Sequence, residues 1–178
     1  MVRPFSQGSR AARRWLENKM TTTRDPRTFQ SASVTARVRI FIPREQEVVF
    51  DYFADLRNEP QYNRQVSGIR KTSPGPIGQN TTFEGSHVGL GPVTWRLLEY
   101  ERPTHVVIEG GVGQGAYRWT SDFEAAEGGT WMTGRMEWQP PSRWRPLRRL
   151  LGVILQFNAR RSFRRMAQVL QRDGSPTE

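Results

Sequence analysis

Residues 145–165 read RPLRRLLGVILQFNARRSFRR, an apolar segment interrupted by arginines. Counting from Leu147, the apolar residues Leu150, Leu151, Ile154 and Leu155 recur at helical spacing, which predicts an apolar stripe on one face of a helix. Residues 150–157 carry no charge at all, so this half of the predicted helix is apolar nearly all round. Such a helix could face a nucleic acid, a membrane or its own protein.

The second half of this segment favours the protein's own interior. Beyond residue 158 the stripe continues as Ala159, Phe163, Met166 and Leu170, rotated by roughly a quarter turn at 100° per residue. A helix lying in a nucleic-acid groove does not need so wide an apolar face, whereas a helix gripping its own sheet does. We expect the arginines on the other side, Arg149, Arg160 and Arg164, to form the solvated back of the helix, although a weaker role for them at a membrane or nucleic acid stays open.

The bulk composition indicates one folded domain. The chain has 178 residues, of which 35% are hydrophobic and 11% aromatic, enough to bury a sizeable core. The absence of cysteine excludes disulfides, thiol catalysis and cysteine-bound zinc. No apolar run approaches the roughly 20 residues that span a bilayer, and the first 20 residues lack the apolar core of a secretory signal. We therefore expect a cytoplasmic protein.

The net charge of +10 is unevenly distributed. Residues 1–32 carry seven basic and two acidic residues, residues 33–142 carry eleven and thirteen, and residues 143–178 carry nine and two. The body is therefore close to neutral while both ends are basic, which is unlike a domain that reads nucleic acid with its folded surface. We expect residues 1–32 to be a basic arm, flexible or loosely docked, residues 33–172 to be the domain, and residues 173–178 to be a tail.

The body begins with a strand and two helices. VTARVRIFI, residues 34–42, alternates apolar and polar side chains, which predicts a strand that ends before Pro43. EQEVVFDYFADL, residues 45–56, has helical spacing, and a second short helix is predicted at about Asn58–Asn63. Alternating segments and turn signals then recur at hairpin spacing up to residue 139, with GGVGQG at residues 110–115 read as one turn, so an antiparallel meander follows.

These segments, in this order, resemble the START-like, helix-grip superfamily that includes polyketide cyclases and dehydrases. The resemblance covers roughly residues 33–172 and rests on VTARVRIFIPREQEVVFDYFADLRNEPQYN, GPIGQNTTFEG, LLEYERPTHVVIEG and GGTWMTGRMEW. It implies an α+β fold in which a curved antiparallel sheet of about seven strands wraps on the long C-terminal helix, with two short helices after the first strand. It also implies a deep cavity between sheet and helix, with Tyr62 standing where the family usually has Trp.

The alternation of the strands supports the same cavity. Two strand faces carry large aromatic side chains and flexible methionines, a composition typical of pockets for apolar molecules. The candidate ligand-binding residues are Tyr62, Phe83, His87, Trp95, Leu97, Glu99, Tyr117, Trp119, Met132, Met136, Trp138, Leu151 and Leu155.

Few residues point to chemistry. His87 shares strand parity with Phe83 and is a candidate for the cavity mouth, whereas His105, beside Pro103, is expected to be exposed. Two histidines without cysteine or a ligand spacing predict no metal site, and no cofactor motif is present. Glu99 shares parity with Trp95 and could enter the cavity as an acid or base, or else be an exposed residue at the edge of the sheet that pairs with an arginine.

The sequence thus predicts a protein that binds a hydrophobic or amphipathic small molecule, lipid-like or polyketide-like. The first alternative is a cyclase- or dehydratase-type enzyme. The second is peripheral association with an anionic membrane or nucleic acid through the basic ends, expected to be weak, salt-sensitive and without sequence-specific nucleic-acid recognition.

Overall fold

A computed structural model describes residues 33–112, 115–140 and 142–172. The predicted arm, residues 1–32, and tail, residues 173–178, lie outside the described residues. The strands are β1 (Val34–Ile42), β2 (Val66–Lys71), β3 (Thr82–His87), β4 (Gly91–Glu101), β5 (His105–Val112), β6 (Gly115–Ala126) and β7 (Gly129–Gln139). The helices are α1 (Gln46–Ala54), α2 (Glu59–Tyr62) and α3 (Arg148–Arg172), with 3-10 turns at Leu56–Asn58 and Ser142–Leu147.

Strand β1 shows how the alternating sequence sets the two faces of the sheet. Val34, Ala36 and Val38 are buried and the residues between them are exposed, because successive side chains of a strand point to opposite faces. The strand ends at Ile42, directly before Pro43, as the sequence predicts.

The seven strands form one antiparallel sheet in the order β1-β7-β6-β5-β4-β3-β2. The first strand pairs with the last along its whole length, from Val34 opposite Trp138 to Ile42 opposite Thr130. The segment with α1 and α2 connects β1 to β2, the two edges of the sheet, and α3 packs mainly on β1. The predicted helix-grip fold is therefore confirmed.

One end of the space between sheet and helices is filled by aromatic rings. Phe50 and Phe53 of α1 lie against Phe123 of β6, with ring centroids 5.2 and 5.7 Å apart, and Phe53 also meets Phe163 of α3 at 6.1 Å. Each of these side chains is at most 4% exposed, so this region, the solid end, supplies much of the hydrophobic stabilisation.

Helix α3 docks through the stripe of its second half. Ala159, Phe163, Met166 and Leu170 are all buried, as predicted. The first-half stripe counted from Leu147 is wrong as a buried face, because Leu147, Leu150 and Ile154 are 50, 56 and 47% exposed.

The reason is the rigidity of the helix. Four-residue steps from Ala159 towards the N-terminus reach Leu155 and Leu151, and these are the two members of the predicted stripe that stay on the inner side, half-buried and buried. A straight helix presents one face to the sheet, so the better-packed half decides which face that is. Within the described residues, no helix is both long enough and apolar enough to cross a membrane.

Candidate ligand-binding cavity

A cavity of about 230 Å³ lies between the concave side of the sheet, the α1–α2 segment and the first half of α3. This volume is a little below the roughly 300 to 1,000 Å³ usual for small-molecule sites. Most of its wall is apolar or aromatic. The lining residues are Phe53, Leu56, Glu59, Tyr62, Asn63, Gln65, Val66, His87, Leu90, Trp95, Ile108, Tyr117, Trp119, Met136, Trp138, Leu151, Ile154, Leu155, Asn158, Ala159, Ser162 and Phe163.

Two glycines make room for aromatic rings to lie flat on the sheet. Gly110 pairs across the sheet with Tyr117, and a Cβ at Gly110 would overlap the tyrosine ring. A Cβ at Gly134 would come within 2.7 Å of the ring of Trp119. The prediction that residues 110–115 form one turn is therefore partly wrong, because β5 continues to Val112. Gly110 lies within this strand, and its lack of a side chain leaves room for the ring of Tyr117.

Trp119 separates the cavity from the solid end. Its ring stacks on Phe163 with centroids 5.1 Å apart and planes 24° apart, and its indole N–H donates to the hydroxyl of Ser121 at 2.7 Å. Held by Gly134 below, Phe163 above and Ser121 at its edge, this ring has little freedom to turn. It forms a fixed floor for the cavity.

The polar part of the wall is centred on Glu59, at the start of α2. Asn63, one helical turn later, donates from its side-chain nitrogen to a Glu59 carboxylate oxygen at 2.8 Å. Burial raises the pKa of Glu59 to about 7, and the hydrogen bond from Asn63 only partly opposes this effect. The residue as a whole is partly exposed, and it lines the cavity. Near neutral pH it can therefore hold or release a proton.

Two tyrosines share this environment. Burial raises the pKa of Tyr62 well above its ordinary value, and the nearby Glu59 raises it further. Burial and Glu59 also raise the pKa of Tyr117, against the opposing hydrogen bond from the indole of Trp95. Both phenols stay protonated at physiological pH and can donate a hydrogen bond to a ligand oxygen.

The mouth of the cavity is formed by the β3–β4 connection and the first half of α3. His87, the last residue of β3, and Leu90 of the connection lie on one side, and Ile154 and Asn158 of α3 lie on the other. His87 is half-buried, with its Nδ1 2.9 Å from the carbonyl oxygen of Val88. It lies on the wall at the place where the strand parity suggested it.

The structure brings together nine of the thirteen candidate residues. These nine line the cavity: Tyr62, His87, Trp95, Tyr117, Trp119, Met136, Trp138, Leu151 and Leu155. Phe83, Leu97 and Met132 share the inward face but are fully buried in the filled part of the core and do not line the cavity. Strand parity identifies the inward face and does not identify where along that face the space is already filled.

Glu99 lies outside the cavity, so the prediction that it could enter is wrong. The register of β4 against β5 shifts between Leu97 and Glu99, and this bulge reverses the alternation. The side chain of Glu99 is 58% exposed and pairs with His105, 3.3 Å away. The alternative role, an exposed ion-pair partner, is the observed one, although the partner is a histidine.

His105 is less exposed than predicted, since only 23% of its side chain is accessible. Its Nδ1 lies 2.6 Å from Asp122 and its Nε2 faces Glu99. Burial alone would lower the pKa of His105, but the hydrogen bond and charge of Asp122, together with Glu99, outweigh burial and raise it. This triad lies outside the cavity.

Glu59 is the functional candidate that the sequence analysis missed. It stands between Asn58 and Pro60, in a segment whose pattern pointed only to the fold. An acidic residue in the first turn of a helix ordinarily faces water. The one available signal is its proximity in sequence to Tyr62. Among the described residues, no cluster of three or more histidine or acidic side chains could hold a metal ion.

The model of one protein family, described as polyketide cyclase/dehydrase and lipid transport, matches residues 32–172. No curated protein matches the sequence at a significant level.

Solved structures match the fold at low sequence identity. TTHA0849 from Thermus thermophilus is 20% identical with a TM-score of 0.62, and the alignment covers 79% of this chain and 99% of that one. Ara h 8.0201 is 13% identical with a TM-score of 0.59 over 79% and 99% of the two chains. The di-domain ARO/CYC StfQ from the steffimycin biosynthetic pathway is 13% identical with a TM-score of 0.64 over 98% of this chain and 64% of that one. At these identities the likeness shows the fold alone.

Proposed function

The chain belongs to the polyketide cyclase/dehydrase and lipid transport family, and from that premise we propose that it binds a small apolar molecule with one oxygen-bearing end. The observation that carries the proposal is the aromatic-walled cavity, in which Glu59 is the one carboxyl group among the described lining residues. The apolar body of the ligand would lie against Trp119, Met136 and Leu151, and its oxygen would meet Tyr117 and the carboxyl group of Glu59.

The polar part of the wall selects the kind of polar group. When Glu59 is protonated, it and Tyr117 can both donate hydrogen bonds, so a carbonyl or hydroxyl oxygen is satisfied there. A ligand carboxylate beside an ionised Glu59 would be repelled in a site of low dielectric. We therefore expect neutral ligands to bind better than their carboxylate analogues above pH 7.

The test uses two matched substitutions on α3. Leu155→Trp enlarges a side chain in the cavity wall, whereas Leu150→Trp makes the same change at an exposed position that does not line the cavity. We expect Leu155→Trp to weaken binding of the neutral fluorescent probe N-phenyl-1-naphthylamine at least tenfold, with Leu150→Trp unchanged. Native mass spectrometry of the full chain would then identify any co-purified molecule. Equal probe affinity in both variants contradicts binding in this cavity.

A second candidate function is acid–base catalysis on the bound molecule. Its support is a cavity carboxyl group whose pKa is about 7, close to two protonated phenols. Ionised Glu59 would take a proton from the carbon between two carbonyl groups of a ligand, and the hydroxyl of Tyr117 would donate a hydrogen bond to the enolate oxygen. Returning the proton completes the cycle. The ARO/CYC label of StfQ is in keeping with chemistry of this class.

This second candidate is tested by hydrogen exchange. Benzoylacetone, a simple diketone, is incubated with the protein in D₂O, and deuterium incorporation at its central carbon is followed by NMR. Catalysis predicts a rate above the buffer background that rises as a group with a pKa of about 7 ionises. Glu59→Gln should abolish this rate while keeping affinity for the naphthylamine probe. A rate that survives Glu59→Gln excludes this role for Glu59.

A further inference from the structure

We propose that the face around the cavity mouth docks on an anionic lipid surface, with apolar side chains entering the interface and arginines meeting the headgroups. This proposal goes beyond ligand binding, because it concerns the surface against which the mouth of the cavity is placed. Three observations carry it: where the exposed apolar residues lie, which way α3 points them, and what charge surrounds them.

The exposed large apolar residues are confined to one region. Among the described residues, they fall in two segments, the β3–β4 connection and residues 147–157. They are Val88, Leu90, Leu147, Leu150, Val153, Ile154 and Phe157, between 37 and 69% exposed. Leu90 and Ile154 also line the cavity, one from each segment, so this apolar patch borders the mouth. Patches of this kind on otherwise polar surfaces mark interaction sites.

The helix aims the patch away from the core. Leu150, Val153 and Phe157 recur at steps of three and four, so they share one face, opposite the face that buries Ala159 and Phe163. The same outward face continues to Arg160 and Arg164, both exposed. At about 1.5 Å per residue, roughly 10 Å of apolar surface is followed by roughly 6 Å of arginine surface.

The charge around the patch has no partner in the described protein. Helix α3 contains seven arginines and no acidic residue, and none of the seven forms an ion pair with another described residue. The pKa of Arg165 is lowered by desolvation and then by the like charges of Arg161 and Arg64, which shows how crowded the cations are. Lipid phosphates and anionic headgroups would supply the missing counter-charges.

The charge pattern favours a membrane over other occupants. The arm, residues 1–32, has a net charge of +5 and would be repelled by an arginine-rich face. A nucleic acid would satisfy the arginines but leave Val153 and Phe157 in water. An anionic interface accepts both halves of the face, apolar side chains in the acyl boundary and arginines among the headgroups.

The first experiment measures docking with a single label. The native chain has no cysteine, so Val153→Cys carries one environment-sensitive NBD label on the patch, and Thr133→Cys carries it on an exposed position of β7 as the control. With vesicles of 30% phosphatidylglycerol in phosphatidylcholine, we expect the Val153 label to shift to the blue and become protected from iodide, with the Thr133 label unchanged. Pure phosphatidylcholine vesicles should give at least a tenfold weaker response.

The second experiment separates the patch from net charge. Arg160→Glu with Arg164→Glu should weaken vesicle binding at least tenfold, since each arginine near an anionic surface contributes about a fivefold factor. Arg39→Glu with Arg135→Glu changes the net charge equally on the exposed faces of β1 and β7 and should have a smaller effect. Phe157→Ser should also weaken binding at least tenfold.

Three outcomes overturn the proposal. Equal losses in the two charge-reversal pairs mean that only net charge matters. A Val153 label already protected without vesicles means that the arm or a second copy covers the patch. No response to anionic vesicles at low salt means that no lipid docking occurs. Because none of these measurements uses a cavity ligand, they leave the proposed ligand binding to its own test.

Discussion

The two halves of helix α3 have opposite relations between apolar character and burial. Residues 150–157, LLGVILQF, are the more apolar half, yet Leu150, Val153, Ile154 and Phe157 are exposed and only Leu151 is buried. Residues 158–172 contain five arginines and supply five of the six buried residues of the helix. Burial follows what stands opposite each half. The second half packs Phe163 against a wall of aromatic rings, whereas the first half borders the cavity with Leu151 and Leu155 and points Leu150, Val153 and Phe157 outward.

This contrast separates stability from function along one helix. The second half closes the solid end, where Phe163 stacks on Trp119 and meets Phe53. The first half leaves apolar surface on both sides, one side facing the cavity and the other facing outward. Apolar surface that the fold does not bury is available for a ligand or an interface.

The largest expected effect compares two phenylalanines of the same helix. Phe163→Ala removes the buried ring that stacks on Trp119 and should lower the free energy of unfolding by about 3 to 5 kcal/mol. Phe157→Ala removes a ring that is 61% exposed and should change it by less than about 0.5 kcal/mol. Urea unfolding followed by circular dichroism measures both. Similar losses in the two variants would mean that the halves are equally packed.

The next prediction concerns pH and the cavity carboxyl group. The pKa of Glu59 is about 7 in the folded protein against 4.5 ordinarily, so the folded state binds this proton more tightly than the unfolded state. The stabilisation of the folded state by protonated Glu59 is fully present below about pH 4.5 and is lost as pH rises to about 7. The free energy of unfolding should therefore fall by about 3 kcal/mol over this range. Glu59→Gln should remove that decline.

The measurement is the free energy of unfolding at pH 5, 6, 7 and 8. Above pH 7, Glu59→Gln should be more stable than the natural chain, because no charge is then forced into the cavity. Glu101→Gln, a change at an exposed carboxyl group, is the matched control and should keep the natural pH dependence. An unchanged slope in Glu59→Gln would mean that Glu59 is ionised and solvated in the folded state.

A smaller effect is expected when one methyl group is added at a loosely packed or at a tightly packed glycine. Gly152 lies in the first half of α3, and a Cβ there meets only Val34, at 3.6 Å. Gly152→Ala should therefore stabilise the protein by about 0.5 to 1 kcal/mol, the ordinary gain at a helix interior. Gly134→Ala should instead destabilise it by about 1 to 3 kcal/mol, because the ring of Trp119 must move. Thermal unfolding of the two variants decides the sign of each.

The smallest effect is expected from removing the basic arm, a change that tests whether the packing of the first half of α3 depends on it. The described chain begins beside this half, since Val34 lies next to Gly152. A chain that starts at Ser31 should keep the free energy of unfolding of the full chain, because linker-like termini contribute little to a core. Parallel urea titrations of the two chains measure the difference. A loss of several kcal/mol would show that the arm belongs to the folded domain.

The strand alternation, together with the family resemblance, predicted the fold and much of the cavity wall. Tyr117 and Trp119 of β6 and Met136 and Trp138 of β7 face inward because a period of two leaves no other choice once one face is buried. The same rule failed at Glu99, where one bulge in β4 reversed the faces. A bulge depends on how two strands pair, and the alternation within either strand alone does not predict that pairing.

The sequence by itself determined the order of the elements, their periodicity and the inward faces of the strands, because these depend on residues close together in the chain. The tertiary structure decided which face of α3 meets the sheet, where Trp119 and Phe163 close the cavity, and that Glu59 lines the cavity near Tyr62 and Tyr117. Each of these outcomes depends on side chains from distant segments competing for the same space. A helical pattern states which residues can be buried together, and the volume already filled by the rest of the chain decides which of them are.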